Sequence, residues 1–423
     1  MTAAYTSSLS QELAPALLER FLRYVRVDTQ SARERERSPS TPGQLELARM
    51  LVGELTALGL GDAAVDENGY VTATLPATVA GEQPVIGLFA HLDTSPDAPG
   101  VGVEPLVHRD YDGSAIELPR AGTVLDPERM PVLAGKLGHD IVSSSGDTLL
   151  GADDKAGVAE VMTAIAYLQA HPELPRPTLR IGFTPDEEIG EGPTLLDLDA
   201  FGASCAYTID GSQPGELQDE TFSGVAITLT IEGVEVHPGF AYGKLVNAAT
   251  VAGRVLAALP ADTLTPETTR GREGFIHVYE VEAHAGRAVV RLIARDFDDE
   301  LLAAHVELVR RTAEREVQEA PGARLSFESR AQYPNMRRFI DAMPEVTAAA
   351  ERALRAEGLE PVREPIRGGT DGSILSARGL PTPNLFTGGH EYHSVREWAS
   401  LQDMAAAAAV IVRLAAEWAR ATA

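Results

Sequence analysis

Between about Pro84 and Asp210 the chain alternates short apolar runs of strand length with longer helical segments. That alternation is the pattern of an α/β domain built on a largely parallel sheet flanked by helices. PVIGLFA, PTLRIGFT and SCAYTI read as its strands. KAGVAEVMTAIAYLQAH is long, alanine-rich and free of internal proline, and reads as a helix entered just after Asp153 and Asp154. Acidic side chains at a helix start suit its dipole. At 423 residues the chain exceeds what one hydrophobic core usually supports, so a second domain or an insert is expected.

The pattern changes after GSQPGELQDE. From about Phe222 to Tyr333, SGVAITLTIEG reads as a strand and KLVNAATVAGRVLAAL as a helix; GFIHVYEVEAHAGRAVVRLIARDF reads as a hairpin turning near Ala285-Gly286. DELLAAHVELVRRTAEREV is then a second helix and ARLSFESRA a closing strand. The order β-α-β-β-α-β is the split βαβ sandwich, which implies an inserted α+β domain. Beyond it, DAMPEVTAAAERALRAEG reads as a helix, TPNLFTGG as a strand, and Leu401 to Ala421 as a helix packing back on the first domain. The mixed charge run RERERS after Ser31 reads as a solvated loop or helix end.

Composition excludes several classes of partner. A net charge of −26, with no compensating block of Lys and Arg, would repel nucleic acid and anionic membrane surfaces. A hydrophobic fraction of 44% with 23% charged residues is that of a folded globular chain. Cys205 is the one cysteine, so no intrachain disulfide can form, which fits a reducing compartment. It lies in the apolar run GASCAYTID and is expected in the core rather than as a catalytic thiol. The N-terminus reads as a polar start followed by an amphipathic helix, and no apolar run reaches bilayer length, so the expected location is cytoplasmic.

The chemistry gathers in motifs placed after predicted strands: HLDTS at 91–95, PDEEIG at 185–190, IDG at 209–211 and EYHS at 391–394. GADDKAG at 151–157 precedes a helix. Ligands of open α/β sheets bind beyond the carboxyl ends of the strands, so these segments can converge on one crevice. His91, Asp153, Glu188, Asp210 and His393 supply the mixed nitrogen and oxygen donors that zinc accepts, and a pair of ions sharing one carboxylate needs about five protein ligands. Glu187, beside Glu188 but pointing elsewhere, is placed to act as general base on a metal-acidified water. Asp93, two residues beyond His91, can fix its imidazole. Each residue also has a plainer reading. His91 could be a surface histidine, Asp153 and Asp154 helix N-caps, Glu187 and Glu188 a solvated pair, Asp210 and His393 turn residues. All of these at one end of one sheet favour a shared site.

The motifs HLDT, LLGADDKAG, TPDEEIG, VHPG, YPNMR and IRGGTDGS, followed by NLFTGG and YH, resemble peptidase T from about Arg20 to the C-terminus. That is the tripeptide aminopeptidase branch of the dinuclear-zinc exopeptidase superfamily, which includes the glutamate carboxypeptidases and acyl-amino-acid deacylases. The resemblance implies a zinc-exopeptidase-like catalytic domain in two parts, 1–215 and 333–423, with residues 216–332 as a lid or dimerisation domain. It implies two Zn2+ per chain, with Mn2+ or Co2+ as substitutes. His91 and Asp210 would complete one site, Glu188 and His393 the other, with Asp153 bridging, Asp93 supporting His91, Glu187 as base and a cis Asp153-Asp154 peptide.

The same resemblance makes His237 of VHPG an oxyanion contact, commonly from a neighbouring subunit of a homodimer. It makes Arg367 of RGGTDG a clamp for a peptide C-terminal carboxylate and Asn335 of YPNMR a substrate contact. The implied reaction is removal of the N-terminal residue from short peptides, tripeptides foremost. Alternatives are a dipeptidase or N-acyl-amino-acid amidohydrolase on the same metals, or a metal- or peptide-binding protein without turnover. GGHEYHSVREW departs from the family pattern GGxNYHGxxE at Glu391 and Ser394, beside the substrate pocket. His390 is an extra imidazole nearby, and His393 is preferred as ligand on motif position.

Overall fold

A computed structural model of the chain describes residues 4–420. These divide into two compact units. The first runs to Asp219 and takes in Met336–Glu364 and the chain from Thr370 onward; the second comprises Glu220–Asn335 and Pro365–Gly369.

A seven-stranded mixed sheet organises the first unit, in the spatial order Ala64–Val65, Val71–Leu75, Leu179–Thr184, Ile86–His91, Cys205–Ile209, Asn384–Leu385, Leu217–Gln218. The middle strands, from Leu179–Thr184 to Asn384–Leu385, pair in parallel, and the outer pairs are antiparallel. Ile86–His91 and Cys205–Ile209 are buried at every position, which is why their sequences are continuous apolar runs rather than alternating ones. Cys205 is part of this core, and burial pushes its thiol up to about 12.

Helices Ser8–Tyr24, Ala152–Ala170 and Leu401–Arg420 pack on one another, and Ala152–Ala170 lies against strands Ile86–His91 and Cys205–Ile209. Ser7 starts the first of them with a capping box completed by Ser10. The last residue expected in the final helix, Ala421, lies outside the described residues. Gly157 lets the central helix close on the sheet: a Cβ there would stand 1.9 Å from the Ile209 carbonyl oxygen. The helix start is thereby held beside the strand that ends at Ile209, just before Asp210.

A second sheet of this unit, entirely antiparallel, orders Gly389–His390, Trp398–Ser400, Ile141–Ser143 and Leu106–His108. It corrects the expectation that TPNLFTGG is one strand. Asn384–Leu385 belongs to the large sheet and Gly389–His390 to the small one. The change of sheet occurs at Gly388, whose φ of +101° is open to glycine and where a Cβ would meet Asp403 and Met404.

The second unit is an antiparallel sheet ordered Phe275–Ala283, Arg287–Asp296, Ser223–Glu232, Arg324–Tyr333, with helices Ala248–Ala258 and Asp299–Gln318 against it. Chain order is strand, helix, strand, strand, helix, strand. Its core is aliphatic, from Ile227, Leu229 and Ile231 on one strand to Val251 and Val255 on a helix. One segment departs from the expected continuous run 333–423. Pro365–Gly369 returns to this unit, because Ile366 exchanges main-chain hydrogen bonds with Glu220 and Phe222 across a parallel bridge at Thr221.

Candidate metal centre

Strands Ile86–His91 and Leu179–Thr184 run side by side with His91 opposite Thr184, so the motifs that follow them emerge together. PDEEIG turns at once. Asp186 takes a left-handed conformation at φ +61°, and Glu187–Ile189 forms a single 3-10 turn. Such a conformation costs a non-glycine residue about 1 kcal/mol or more and persists where its surroundings enforce it. Here the Asp186 carboxylate accepts from Ser40 N at 2.9 Å, Gln44 Nε2 at 2.8 Å and Ser38 Oγ at 3.0 Å. The charge run lies in a loop with Arg33, Glu34, Glu36 and Arg37 exposed, as expected, and within it the half-buried Arg35 pairs with Glu191 at 2.7 Å beside the turn. The turn concentrates acids that this nearby guanidinium helps neutralise.

Asp93 keeps the expected contact with His91 and serves a second purpose. His91 Nδ1 lies 3.0 Å from the Asp93 main-chain oxygen and 3.4 Å from its carboxylate. The carboxylate itself accepts from Glu187 N at 3.0 Å and Glu188 N at 3.1 Å. So the imidazole meets both the main chain and the carboxylate of Asp93, and the same carboxylate anchors the turn bearing Glu187 and Glu188.

Asp153 sits at the middle of the cluster. One carboxylate oxygen, Oδ1, is 2.9 Å from His91 Nε2, and the other, Oδ2, is 3.3 Å from His393 Nε2. Asp210 Oδ1 stands 3.7 Å from His91 Nε2, and Glu188 Oε2 stands 2.9 Å from His393 Nε2. The Asp153-Asp154 peptide is cis. Asp154 also lies close to His91 and Asp210, but its carboxylate is engaged by His91 N at 3.0 Å and Gly157 N at 3.2 Å. His393 does not follow a strand of the large sheet, as had been expected. It comes from the connection between Gly389–His390 and Trp398–Ser400, so the small sheet brings it in. His393 and Glu391 both have positive φ, +58° and +56°, in that connection.

Burial and crowding set the electrostatics. Burial raises Glu187 well above the usual carboxylate range, with Asp210, Asp371 and Glu188 adding to it. Burial, reinforced by Asp153, lifts Glu188 to about 8, and burial lifts Asp210 to about 6. Burial would lower both histidines, yet hydrogen bonds to Asp153 and its neighbours reverse this, placing His91 well above its ordinary value and His393 at about 11. Burial would raise Asp153, but His393 and His91 hold it below its usual value. This many acids around two imidazoles calls for positive charge. Glu188 Oε1 is buried without a hydrogen-bond partner. A polar atom left so costs about 1–3 kcal/mol, and a cation would relieve it. Nitrogen and oxygen donors of this kind fit a divalent transition metal.

His390 stands apart. It packs on Trp398 with ring centroids 4.3 Å apart, its Nδ1 is 3.0 Å from Ser212 Oγ, and burial lowers it to about 3. Two acids that sequence reasoning passed over belong with the cluster. Asp371 is buried, contributes to raising Glu187, and accepts a hydrogen bond from Thr184 Oγ1. Glu397 is buried and engages the backbone at Leu150, Gly151 and Asp153. Their signal was their place in motifs already singled out, GGTDG and YHSVRE.

The remaining three expected residues lie in the second unit. Arg367 donates from Nη1 to Thr269 O at 2.7 Å and from Nη2 to Thr269 Oγ1 at 2.8 Å, and lies over the rings of Phe222 and Phe275. His237 is exposed, with Nδ1 accepting from Gly239 N at 3.1 Å. Asn335 bonds Ser223 Oγ through its main chain at 2.8 Å and Phe297 O through its side chain at 3.2 Å.

Residues 150–417 match peptidase family M20/M25/M40, a span holding the Asp153 loop, the Glu187-Glu188 turn, Asp210 and His393. The chain belongs to that family. As an M20/M25/M40 peptidase it is a metallopeptidase. It is similar to the Peptidase T of Bacillus subtilis, 46% identical over 403 residues that cover 95% of this chain and 98% of that one. Its fold is that of two solved structures. One is an aminopeptidase PepT from Bacillus cereus, with a TM-score of 0.72 at 24% identity, covering 96% of this chain and 99% of that one. The other is a tripeptidase from Staphylococcus aureus, with a TM-score of 0.76 at 22% identity and the same coverage. Among the described residues no helix is long and apolar enough to cross a membrane.

Proposed function

We propose that the chain removes the N-terminal residue from short peptides, tripeptides foremost, with two divalent ions held between His91 and Asp210 on one side and His393 and Glu188 on the other. The carrying observation is Asp153, whose two carboxylate oxygens face one histidine each at 2.9 and 3.3 Å. A carboxylate so disposed is a natural bridge. Zinc suits this donor set, and manganese or cobalt can take its place. When bound, such ions polarise a scissile carbonyl and acidify water.

Glu187 takes the proton of the attacking water and returns it to the departing amine. Its support is its place beside Glu188 on the turn anchored by Asp93, in surroundings that favour its protonated form. Arg367 holds the far carboxylate of the peptide and so limits length, His237 steadies the oxyanion, and Asn335 contributes a substrate contact. The insert forms a homodimer in the cytoplasm. These readings rest on the resemblance of the motifs to peptidase T and on the name carried by relatives at 46% identity.

The experiment is turnover by the metal-loaded protein on di- and tripeptides, their N-acylated counterparts and acyl-amino acids. Release of the N-terminal residue from free tripeptides, abolished by N-acylation, is the expected result. Preference for acyl-amino acids would contradict it in favour of an amidohydrolase.

A further inference from the structure

The connection that carries His393 ends at Glu397, and this second acid points back at the start of helix Ala152–Ala170. Glu397 is 1% exposed. Its Oε2 accepts from Leu150 N and Gly151 N, both at 2.7 Å, and its Oε1 from Asp153 N at 3.0 Å. No lysine or arginine among the described residues forms an ion pair with it. The donors are main-chain groups of a helix entrance that lacks a cap of its own. The N-cap position is Gly151 at φ +81°, without a side chain, and Asp153 and Asp154 are non-helical. A helix leaves its first N–H groups without internal partners, and an Asp, Asn, Ser or Thr at the N-cap usually takes one of them. Here a residue 244 positions along the chain supplies the acceptor.

The consequence is geometric. One carboxylate ties the loop whose Asp153 faces both histidines to the connection that delivers His393. Charge-assisted hydrogen bonds are short and directional, so three of them fix the loop against the connection more tightly than apolar packing would. We infer that Glu397 is a positioning residue, setting the separation of Asp153 from His393 by capping the Leu150–Asp153 backbone. The inference rests on the proposed function, since that reading makes Asp153 and His393 share a metal.

Two variants test it. Glu397→Gln keeps one acceptor oxygen and turns an NH2 group toward a main-chain N–H, while Glu397→Ala leaves a hole the shape of acetate. Amide hydrogen exchange on the metal-free proteins reads the cap without reference to metal. Exchange at Leu150, Gly151 and Asp153 should rise about tenfold or more in the Gln variant, while strand Leu179–Thr184 keeps its protection. With metal, kcat should fall about 10- to 100-fold, the range expected on losing a partner that orients a ligand. KM should move little and metal content should fall. Acetate should restore part of the activity of Glu397→Ala and none in wild type.

Unchanged amide exchange at the helix entrance overturns the inference. So does raised exchange with wild-type kcat and metal content, because the cap would then not reach the site. A loss in Glu397→Ala that follows only the folded fraction, with no response to acetate, is a purely structural role and also overturns it. Wild-type protein that takes up no metal sinks the metal-centre reading instead, and amide exchange then decides the capping claim alone.

Discussion

At the scale of single residues, acids at this centre divide between those that face the histidines and those that hold backbone. Asp153, Glu188 and Asp210 face them; Asp93, Asp154 and Glu397 accept main-chain N–H groups. The sequence shows which residue types are present but not which way each turns, because that depends on partners far along the chain. Asp93 illustrates this: its nearness to His91 is readable in HLDTS, but the two N–H groups at Glu187 and Glu188 that its oxygens also accept are not. As the proposed base, Glu187 has no backbone duty, so Glu187→Gln should lower kcat by about 10²- to 10⁴-fold with metal content unchanged; steady-state kinetics beside elemental analysis checks this. Glu160 supplies a test of stability. It is fully buried on helix Ala152–Ala170, neither oxygen has a partner, and burial raises it well above its ordinary value. A raised folded value means the folded state holds a proton that the unfolded state has released, so stability falls as pH climbs from the unfolded value near 4.5 toward the folded one. Glu160→Met should therefore stabilise the protein at pH 8 by about 1 kcal/mol or more and flatten that fall, as read by thermal melts at pH 6 and 8.

Elements were legible where they are long or strongly apolar. The parallel strands, the helix after Asp154 and the strand and helix order of the second unit follow from period and length, because burial on both faces or on one stripe leaves a pattern in the sequence. Short pieces left none. Two-residue strands at Asn384–Leu385 and Gly389–His390 belong to different sheets, and nothing in TPNLFTGG separates them except Gly388. His393 was thus recognised by motif but assigned the wrong support. Pro365–Gly369 was misjudged for the same reason, since its membership of the second unit rests on main-chain pairing with Glu220 and Phe222. At this scale Gly157→Ala is informative. The added methyl would meet Ile209 O at 1.9 Å and Asp154 Oδ1 at 2.5 Å, so the helix must retreat from the strand. We expect about 1–3 kcal/mol lost from chemical denaturation and a larger proportional loss of kcat, since Asp153 and Asp154 move with the helix.

For the whole molecule, a net charge of −26 makes cation uptake favourable and anionic partners unfavourable. The buried acids concentrate that charge at one place, so metal should stabilise the fold by linkage. At a thousandfold excess over its dissociation constant each ion contributes about 4 kcal/mol, and stripping both with a chelator should lower Tm by roughly 10 °C, reversibly on adding them back. A calorimetric scan with and without chelator measures this. The central claim is the pair of ions bridged by Asp153, and elemental analysis of reconstituted protein tests it most directly. Two ions per chain in wild type and in His390→Ala, falling toward one in His393→Ala, is the predicted result; two ions retained in His393→Ala, or loss in His390→Ala instead, would contradict it.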